Sequence, residues 1–235
     1  MKDAFLSDVE EIRRRARAHI ETGAVTGGYQ ADRDTVVRLL NEALATEIVC
    51  VLRYKRHYYM AQGIHSRPVA EEFLEHATEE QRHADLLAER ITELGGAPDL
   101  NPGGLLSKSH SEYIEGKTLL DMIREDLIAE RIAIDSYSEM VRYFGERDPT
   151  SRRLMEKILA KEEEHAKDLA DMLAALSPLE KRDEKEEMRE TPSAEEVPRD
   201  VGYGPSHGYD VTHGGPTGPG DAPARGGAPK RPRAH

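Results

Sequence analysis

The motif Glu-x-x-His occurs twice in the chain, as Glu80 with His83 and as Glu162 with His165. Residues three apart on a helix lie about one turn apart on the same face, so a carboxylate oxygen and an imidazole nitrogen can point at a common ion. Both groups are ligands of divalent transition metals. The two motifs therefore predict two metal positions.

Apolar residues recur at intervals of three and four through four segments, which predicts four amphipathic helices. These cover about residues 34–62, 69–94, 116–144 and 149–176. In each helix a glutamate occupies one position of the apolar series, and in the fourth helix a histidine occupies the next position as well. These residues are Glu47, Glu80, Glu130, Glu162 and His165. A single such glutamate could reach water at the edge of a core. Four of them, one in each helix, favour a shared buried site.

The four carboxylates would repel one another in a core, and burial would raise their pKa values. Two divalent cations would balance their charge. Glu47 and Glu130, which lie outside the motifs, would complete or bridge the metal pair, as in di-iron carboxylate bundles. Glu47 precedes Glu80 by 33 residues and Glu130 precedes Glu162 by 32, so the sequence predicts two helical hairpins related by a pseudo-twofold axis.

Two tyrosines extend this symmetry. Tyr54 and Tyr137 each follow one of the lone glutamates by seven residues. A buried phenol needs a hydrogen-bond partner, and a ligand carboxylate is expected nearby. The alternative is that both are ordinary core residues.

Four short segments resemble bacterioferritin. They are LNEALATE ending at Glu47, EQRHAD beginning at Glu80, DLIAE ending at Glu130 and EEEH ending at His165. The resemblance extends over about residues 34–176, and all six expected ligand positions match. It implies an all-α, ferritin-like four-helix bundle with a long crossover between the second and third bundle helices.

The resemblance also implies a ferroxidase centre that binds two irons. Such a centre oxidises Fe(II) with O2 or H2O2 and passes ferric iron into the hollow shell of a homo-oligomer. The expected metal ligands and catalytic residues are Glu47, Glu80, His83, Glu130, Glu162 and His165. Tyr54 matches a tyrosine beside the centre. Asp126 is a candidate acceptor for the N–H of a ligand histidine, with a solvated acid as the alternative.

Two features depart from that family. Bacterioferritins place a haem-ligating methionine directly after the first glutamate of the first motif, and here Gln81 stands in that position. We therefore predict no haem. A short fifth helix normally follows the bundle of a 24-subunit shell, but residues 179–190 are almost wholly charged and have no apolar stripe. A cage of that size does not follow from the sequence.

The predicted organisation has three parts: residues 1–33 with a short helix over about residues 3–22, the bundle over 34–176, and a charged, then disordered, tail over 177–235. From residue 191 onward the chain has nine glycines and eight prolines in 45 residues, a composition that cannot pack a core. Arg225, Lys230, Arg231 and Arg233 form a small basic cluster there. About twenty residues separate the second and third bundle helices and include Pro102, Gly103 and Gly104.

The net charge of −12 argues against nucleic-acid binding by the surface as a whole. No apolar stretch approaches the roughly 20 residues of a membrane span, and a cytoplasmic location is expected. Cys50 is the only cysteine, so an internal disulfide framework is excluded. We interpret Cys50 as a small buried residue.

Two other functions share these motifs. The same ligands could hold manganese in a peroxidase or a manganese-catalase-like enzyme, and zinc would also fit. Alternatively, the basic tail could associate with DNA, as in a mini-ferritin. Residue types alone leave the choice of metal open.

Overall fold

The computed structural model describes the backbone of residues 8–190 and the side chains of residues 8–179. Within that range the chain forms six α-helices: α1 (Val9–Arg17), α2 (Arg33–Met60), α3 (Ser66–Glu93), α4 (Pro102–Lys108), α5 (Leu119–Phe144) and α6 (Pro149–Glu190). A short 3₁₀ turn, Ile20–Thr22, follows α1. No strand occurs among the described residues. The predicted all-α fold is confirmed.

Helices α2, α3, α5 and α6 form the four-helix bundle. Helix α2 packs against α3, and α5 packs against α6, so the bundle consists of the two expected hairpins. Two apolar layers fill its interior. One lies around Leu44, Leu87 and Phe144, and the other lies around Phe73 and Ile123. A polar layer between them holds the six predicted ligand residues.

Local side chains fix where the bundle helices begin. The Asp32 carboxylate accepts a hydrogen bond from the Thr35 backbone N–H at 2.8 Å and caps α2. Helix α5 begins three residues later than predicted, because Thr118 and Asp121 form a reciprocal capping box. Helix α3 begins three residues earlier than predicted, with Pro68 inside its first turn. Proline is tolerated there because the first N–H groups have no partner within the helix.

Helix α6 differs most from the prediction. It was expected to end near residue 176, but it continues through Pro178 to Glu190. A proline removes one N–H donor from a helix and tends to bend it, yet it need not end the helix. The charged residues 179–190 therefore prolong α6, and no separate helix follows it in the described part of the chain.

The crossover between α3 and α5 contains α4 and packs against α2. Helix α4 begins where the Asn101 side chain accepts from the Gly103 N–H at 3.0 Å, and Leu105 is buried against α2. Hydrogen bonds from α2 continue along the segment, since Thr46 Oγ1 accepts from the His110 N–H at 3.0 Å and Arg53 donates to the Glu112 carbonyl at 2.7 Å. These contacts hold the long connection against the bundle.

The ends of the chain are only partly described. The structure assigns Val9–Arg17 as helix, within the predicted span of about residues 3–22, and residues 3–7 lie outside the described range. The predicted disordered tail from residue 191 also lies outside it. So does the basic cluster.

Candidate metal centre

All six predicted ligands meet in the polar layer of the bundle. Each glutamate comes from a different helix, and each histidine follows its glutamate by one turn. Their side chains are almost completely buried: Glu47, Glu80, His83, Glu130, Glu162 and His165 are each no more than 6% exposed. The periodicity of the apolar residues therefore predicted the correct helix faces, because a glutamate in an apolar series must point where its apolar neighbours point.

The ligand atoms form two overlapping groups. One group contains Glu47 and His83, the other contains Glu130 and His165, and both contain Glu80 and Glu162. Within each group the candidate ligand atoms lie within 4.8 Å of one another. The sequence left open whether the lone glutamates complete or bridge the pair. Glu47 and Glu130, called the terminal glutamates below, each belong to one group, and Glu80 and Glu162 belong to both.

The histidines face the shared carboxylates through Nδ1. His83 Nδ1 lies 3.0 Å from Glu162 Oε1 and 3.3 Å from Glu80 Oε2. His165 Nδ1 lies 3.0 Å from Glu80 Oε1. On the opposite side of its ring, His165 Nε2 lies 2.7 Å from Glu79 Oε2. Glu79 can therefore hold the Nε2–H tautomer of His165, which leaves Nδ1 free to bind a metal.

Two tyrosines hold the terminal glutamates. The Tyr54 hydroxyl on α2 donates a hydrogen bond to Glu130 Oε1 on α5, and the Tyr137 hydroxyl on α5 donates to Glu47 Oε1 on α2. Both phenols are fully buried. Each tyrosine therefore contacts the lone glutamate of the opposite hairpin, as the pseudo-twofold relation requires.

Asp126 lies away from the position expected for it. Its carboxylate is 2.7 Å from Arg53 Nε and 2.8 Å from His57 Nδ1, and all three side chains are buried. The carboxylate beside the candidate ligand His165 is that of Glu79, directly before the first motif. Asp126 instead balances a buried guanidinium that also binds the crossover backbone at Glu112. The alternative of a solvated surface acid is also wrong, because Asp126 is fully buried.

The terminal carboxyls are strongly perturbed. Burial, followed by the charge of Glu80, raises the pKa of Glu47 to about 8. Burial and the charges of Glu80 and Glu162 raise the pKa of Glu130 well above its ordinary value. Burial and Glu162 also act to raise the pKa of Glu80, but contacts with Glu47 and both histidines outweigh them and lower it.

The histidines show the opposite balance. Burial disfavours the charged form of His83, but contacts with the surrounding carboxylates, Glu162 first, raise its pKa to about 12. Burial likewise disfavours the charged form of His165, and contacts with Glu162 and Glu80 raise its pKa to about 12. Protons thus balance the site's negative charge when metal is not bound.

The donor set fits a pair of transition-metal ions. Both carboxylate oxygens of Glu162 and Oε2 of Glu47 are buried and receive no well-aligned hydrogen bond from a described group, although His83 Nδ1 lies 3.0 Å from Glu162 Oε1. Buried oxygens without an aligned donor are costly, and a bound cation would satisfy them. Four carboxylates and two imidazoles are a mixed O/N set that suits iron, manganese and zinc.

Other residues singled out in the sequence lie outside the centre. Cys50 is buried, as expected, and burial raises the pKa of its thiol. The Gln81 side chain points to an exposed face and donates to Asp85 at 3.1 Å.

Comparison with known proteins shows the family of the chain. The family model "Ferritin-like domain" matches residues 37–178, more than half of the chain. The chain belongs to the ferritin-like family. Bacterioferritin of Mycobacterium leprae is 33% identical over 151 residues, which are 64% of this chain and 90% of that protein.

Solved structures of ferritin-like proteins are similar as well. A dodecameric thioferritin, the bacterioferritin-related protein from Bacteroides fragilis, is 31% identical with a TM-score of 0.62, over 65% of this chain and 92% of that chain. Bacterioferritin from Desulfovibrio desulfuricans, described with a diiron site, is 26% identical with a TM-score of 0.56, over 63% and 82% of the two chains.

None of the helices in the described part of this chain combines the length and apolarity that a bilayer crossing requires.

Proposed function

We propose that the protein is a ferroxidase that oxidises Fe(II) at a dinuclear iron centre, for iron storage or detoxification. The observation that carries the proposal is the sharing of Glu80 and Glu162 between two ligand groups. Shared carboxylates would hold two ions close to each other, so that two Fe(II) ions could be oxidised at one place. The likeness to bacterioferritins supports iron as the metal.

The chain's own groups would bind, orient and enclose the metals. One iron would be held by Glu47 and His83, the other by Glu130 and His165, with Glu80 and Glu162 common to both. When bound, iron supplies the electrons that reduce O2 or H2O2. The apolar layers on both sides of the centre exclude bulk water, which strengthens the electrostatic contacts inside. Tyr54 and Tyr137 fix the terminal carboxylates, and Glu79 fixes His165.

The proposal extends to assembly and cofactors. A homo-oligomer, with a hollow shell as one possible form, is proposed from the likeness to a dodecameric relative. No haem is proposed, because the amide of Gln81 is a poor iron ligand and it lies on an exposed face. Purified protein supplied with haem should show no haem absorbance after gel filtration. The cytoplasmic location remains a prediction.

Aerobic addition of Fe(II) to the metal-free protein tests the function. Ferric absorbance is followed at increasing iron per subunit while particle size is recorded. Continued oxidation and retention of many irons per subunit in a hollow particle supports storage. Oxidation that stops at two irons in a small oligomer contradicts storage, and rapid peroxide consumption with manganese would favour the catalase-like alternative.

Single variants test the site. Glu130→Ala and His165→Ala each remove one ligand and should abolish rapid oxidation. Glu164→Ala is the matched control, because Glu164 is an exposed glutamate on the same helix as His165. Oxidation by either ligand variant at the parent's rate would show that the site assignment is wrong.

A further inference from the structure

A second group of potential ligands lies beside the dinuclear centre. It consists of Glu72 and His76 on α3 and Asp168 on α6, and one candidate ligand atom from each lies within 4.8 Å of the other two. His76 is 2% exposed, whereas Glu72 and Asp168 are half-buried. The group is therefore anchored in the core and open to solvent at its outer side.

Helices α3 and α6, which carry the two Glu-x-x-His motifs, also carry this group. His76 precedes Glu80 by four residues, and Asp168 follows His165 by three, so both lie one turn further along the same helix faces. The imidazole of His76 stacks on that of His165, with ring centroids 4.0 Å apart. An ion bound here would be separated from the dinuclear centre by a single layer of side chains.

Tyr54 orients the imidazole of His76. The Tyr54 hydroxyl contacts Glu130, and its oxygen lies 3.2 Å from His76 Nδ1. When metal binding ionises Glu130, the hydroxyl donates its one proton to Glu130, so His76 contacts the hydroxyl oxygen through Nδ1–H. In that neutral tautomer Nε2 carries a lone pair.

Nε2 of His76 faces a carboxylate. It lies 3.3 Å from Glu72 Oε1, so in this tautomer two atoms with lone pairs face each other without a proton between them. A cation near both atoms removes that repulsion and uses both as ligands. The two carboxylates and the neutral imidazole also match the charge of a divalent ion.

We propose that Glu72, His76 and Asp168 bind a third divalent cation in each subunit, at the solvent side of the dinuclear centre. Nitrogen and carboxylate ligands favour Fe(II), Zn(II), Mn(II) or Co(II) over Mg(II) or Ca(II). The site's existence does not depend on the proposed ferroxidase reaction. The competing interpretation is a doubly protonated His76 that forms an ion pair with Glu72 and binds no metal.

Anaerobic titration with Co(II), which avoids oxidation, distinguishes these interpretations. The full chain, stripped of metal, is dialysed against Co(II), and bound cobalt per subunit is measured. The test variant is Glu72→Gln/Asp168→Asn, in which both changed residues are half-buried and their shapes are preserved. The control is Glu75→Gln/Glu163→Gln, which removes the same charge from exposed positions on the same two helices.

We expect the test variant to bind one Co(II) fewer per subunit than the parent, while the control binds as many as the parent. Crystals grown with Co(II) should show an anomalous peak among Glu72, His76 and Asp168. Equal binding by parent and test variant, with no such peak, overturns the proposal. Loss of cobalt only on changing Glu162 would support the dinuclear centre alone. Loss only in the test variant would support the third site and contradict the dinuclear centre.

Discussion

The hydroxyl of Tyr137 on α5 donates a hydrogen bond to the carboxylate of Glu47 on α2. A partner that orients a metal ligand typically contributes about 10- to 100-fold to metal affinity. We therefore expect Tyr137→Phe to weaken Co(II) binding by about that factor, and the symmetry-related Tyr54→Phe to do the same. Equilibrium titrations measure the effect. Tyr59→Phe, at a residue 77% exposed, is the control and should leave affinity unchanged.

The shared carboxylates predict unequal effects among the ligands. Glu47 belongs to one group, so Glu47→Gln should reduce bound Co(II) by one ion per subunit. Glu162 belongs to both groups, so Glu162→Gln should reduce it by two. Both variants replace a buried carboxylate by an amide of the same shape, which makes them a matched pair. Equal losses in the two variants would contradict the shared arrangement.

Metal binding should release protons. Without metal, the raised pKa values of Glu47, Glu130, His83 and His165 keep these four groups protonated at pH 7. Each must lose its proton to bind a cation, so loading the centre should release about four protons per subunit. Because protons compete with metal, affinity should rise with pH.

Calorimetry in two buffers of different ionisation enthalpy counts these protons. The exposed-site variant Glu75→Gln/Glu163→Gln is a control and should give the parent's count. Release of fewer than about two protons, or an affinity that does not change between pH 6 and pH 8, would disagree with the charge balance described for the centre.

A buried ion pair stabilises the start of α6. Asp148 accepts from the Ser151 N–H at 2.9 Å and from Arg90 at 3.1 Å, and it also accepts from the Tyr29 hydroxyl at 2.9 Å. Removal of one partner from a buried pair costs about 3–5 kcal/mol. Urea unfolding at pH 7 should show a loss of about that size for Asp148→Ala. Asp171→Ala, at an exposed residue on the same helix, should change stability by less than about 0.5 kcal/mol.

The contribution of Asp148 has a definite pH dependence. Burial acts to raise its pKa, but hydrogen bonds from Ser151 and Tyr29 and the charge of Arg90 outweigh burial and lower it. A carboxyl with a lowered folded-state pKa stabilises fully above its unfolded pKa, about 3.9, and loses this contribution as pH falls through the folded value. The difference in the free energy of unfolding between the parent and Asp148→Ala should therefore become smaller below about pH 4. A difference that becomes larger as the pH falls would contradict this prediction.

Arg53 and Asp126 form a second buried pair, which ties the crossover to the bundle. Arg53→Met should lower the free energy of unfolding by about 3–5 kcal/mol, because it removes the guanidinium that balances the buried Asp126 carboxylate and leaves only the contact with His57. Arg53→Met/Asp126→Asn should recover part of that loss. The control is Arg56→Met, since Arg56 also pairs with the crossover, at Glu115, but in a more exposed position where a pair contributes about 0–1 kcal/mol. Chemical denaturation of the three variants provides the comparison.

The bundle and its polar layer could be predicted because both depend on local periodicity. A helix repeats every 3.6 residues, so a glutamate in the series of Leu44 or Ile123 must share their direction. The fold is confirmed, and the six side chains meet in space. Their roles as metal ligands remain a prediction that the titrations above test.

What the sequence could not supply was contact between distant segments. Asp126 is one turn from Glu130, but its partner is set by the buried Arg53 of another helix, 73 residues away. Periodicity predicts the direction in which a carboxylate points. It does not predict which of two ions the oxygens would reach, so the sequence left open whether Glu80 belongs to one ligand group or to both. The Asp168 group had a visible signal, because 162, 165 and 168 continue one series at intervals of three.

The hydrogen bond from Tyr29 to Asp148 also bears on where this domain begins. The family model starts at residue 37, and the predicted bundle starts at residue 34, so both boundaries exclude Tyr29. A chain trimmed to either boundary would still have four bundle helices, but Asp148 would lose one of its three partner residues. The physical unit is therefore longer at its amino end than the span defined by similarity. Studies of a shortened chain would underestimate how firmly α6 is held.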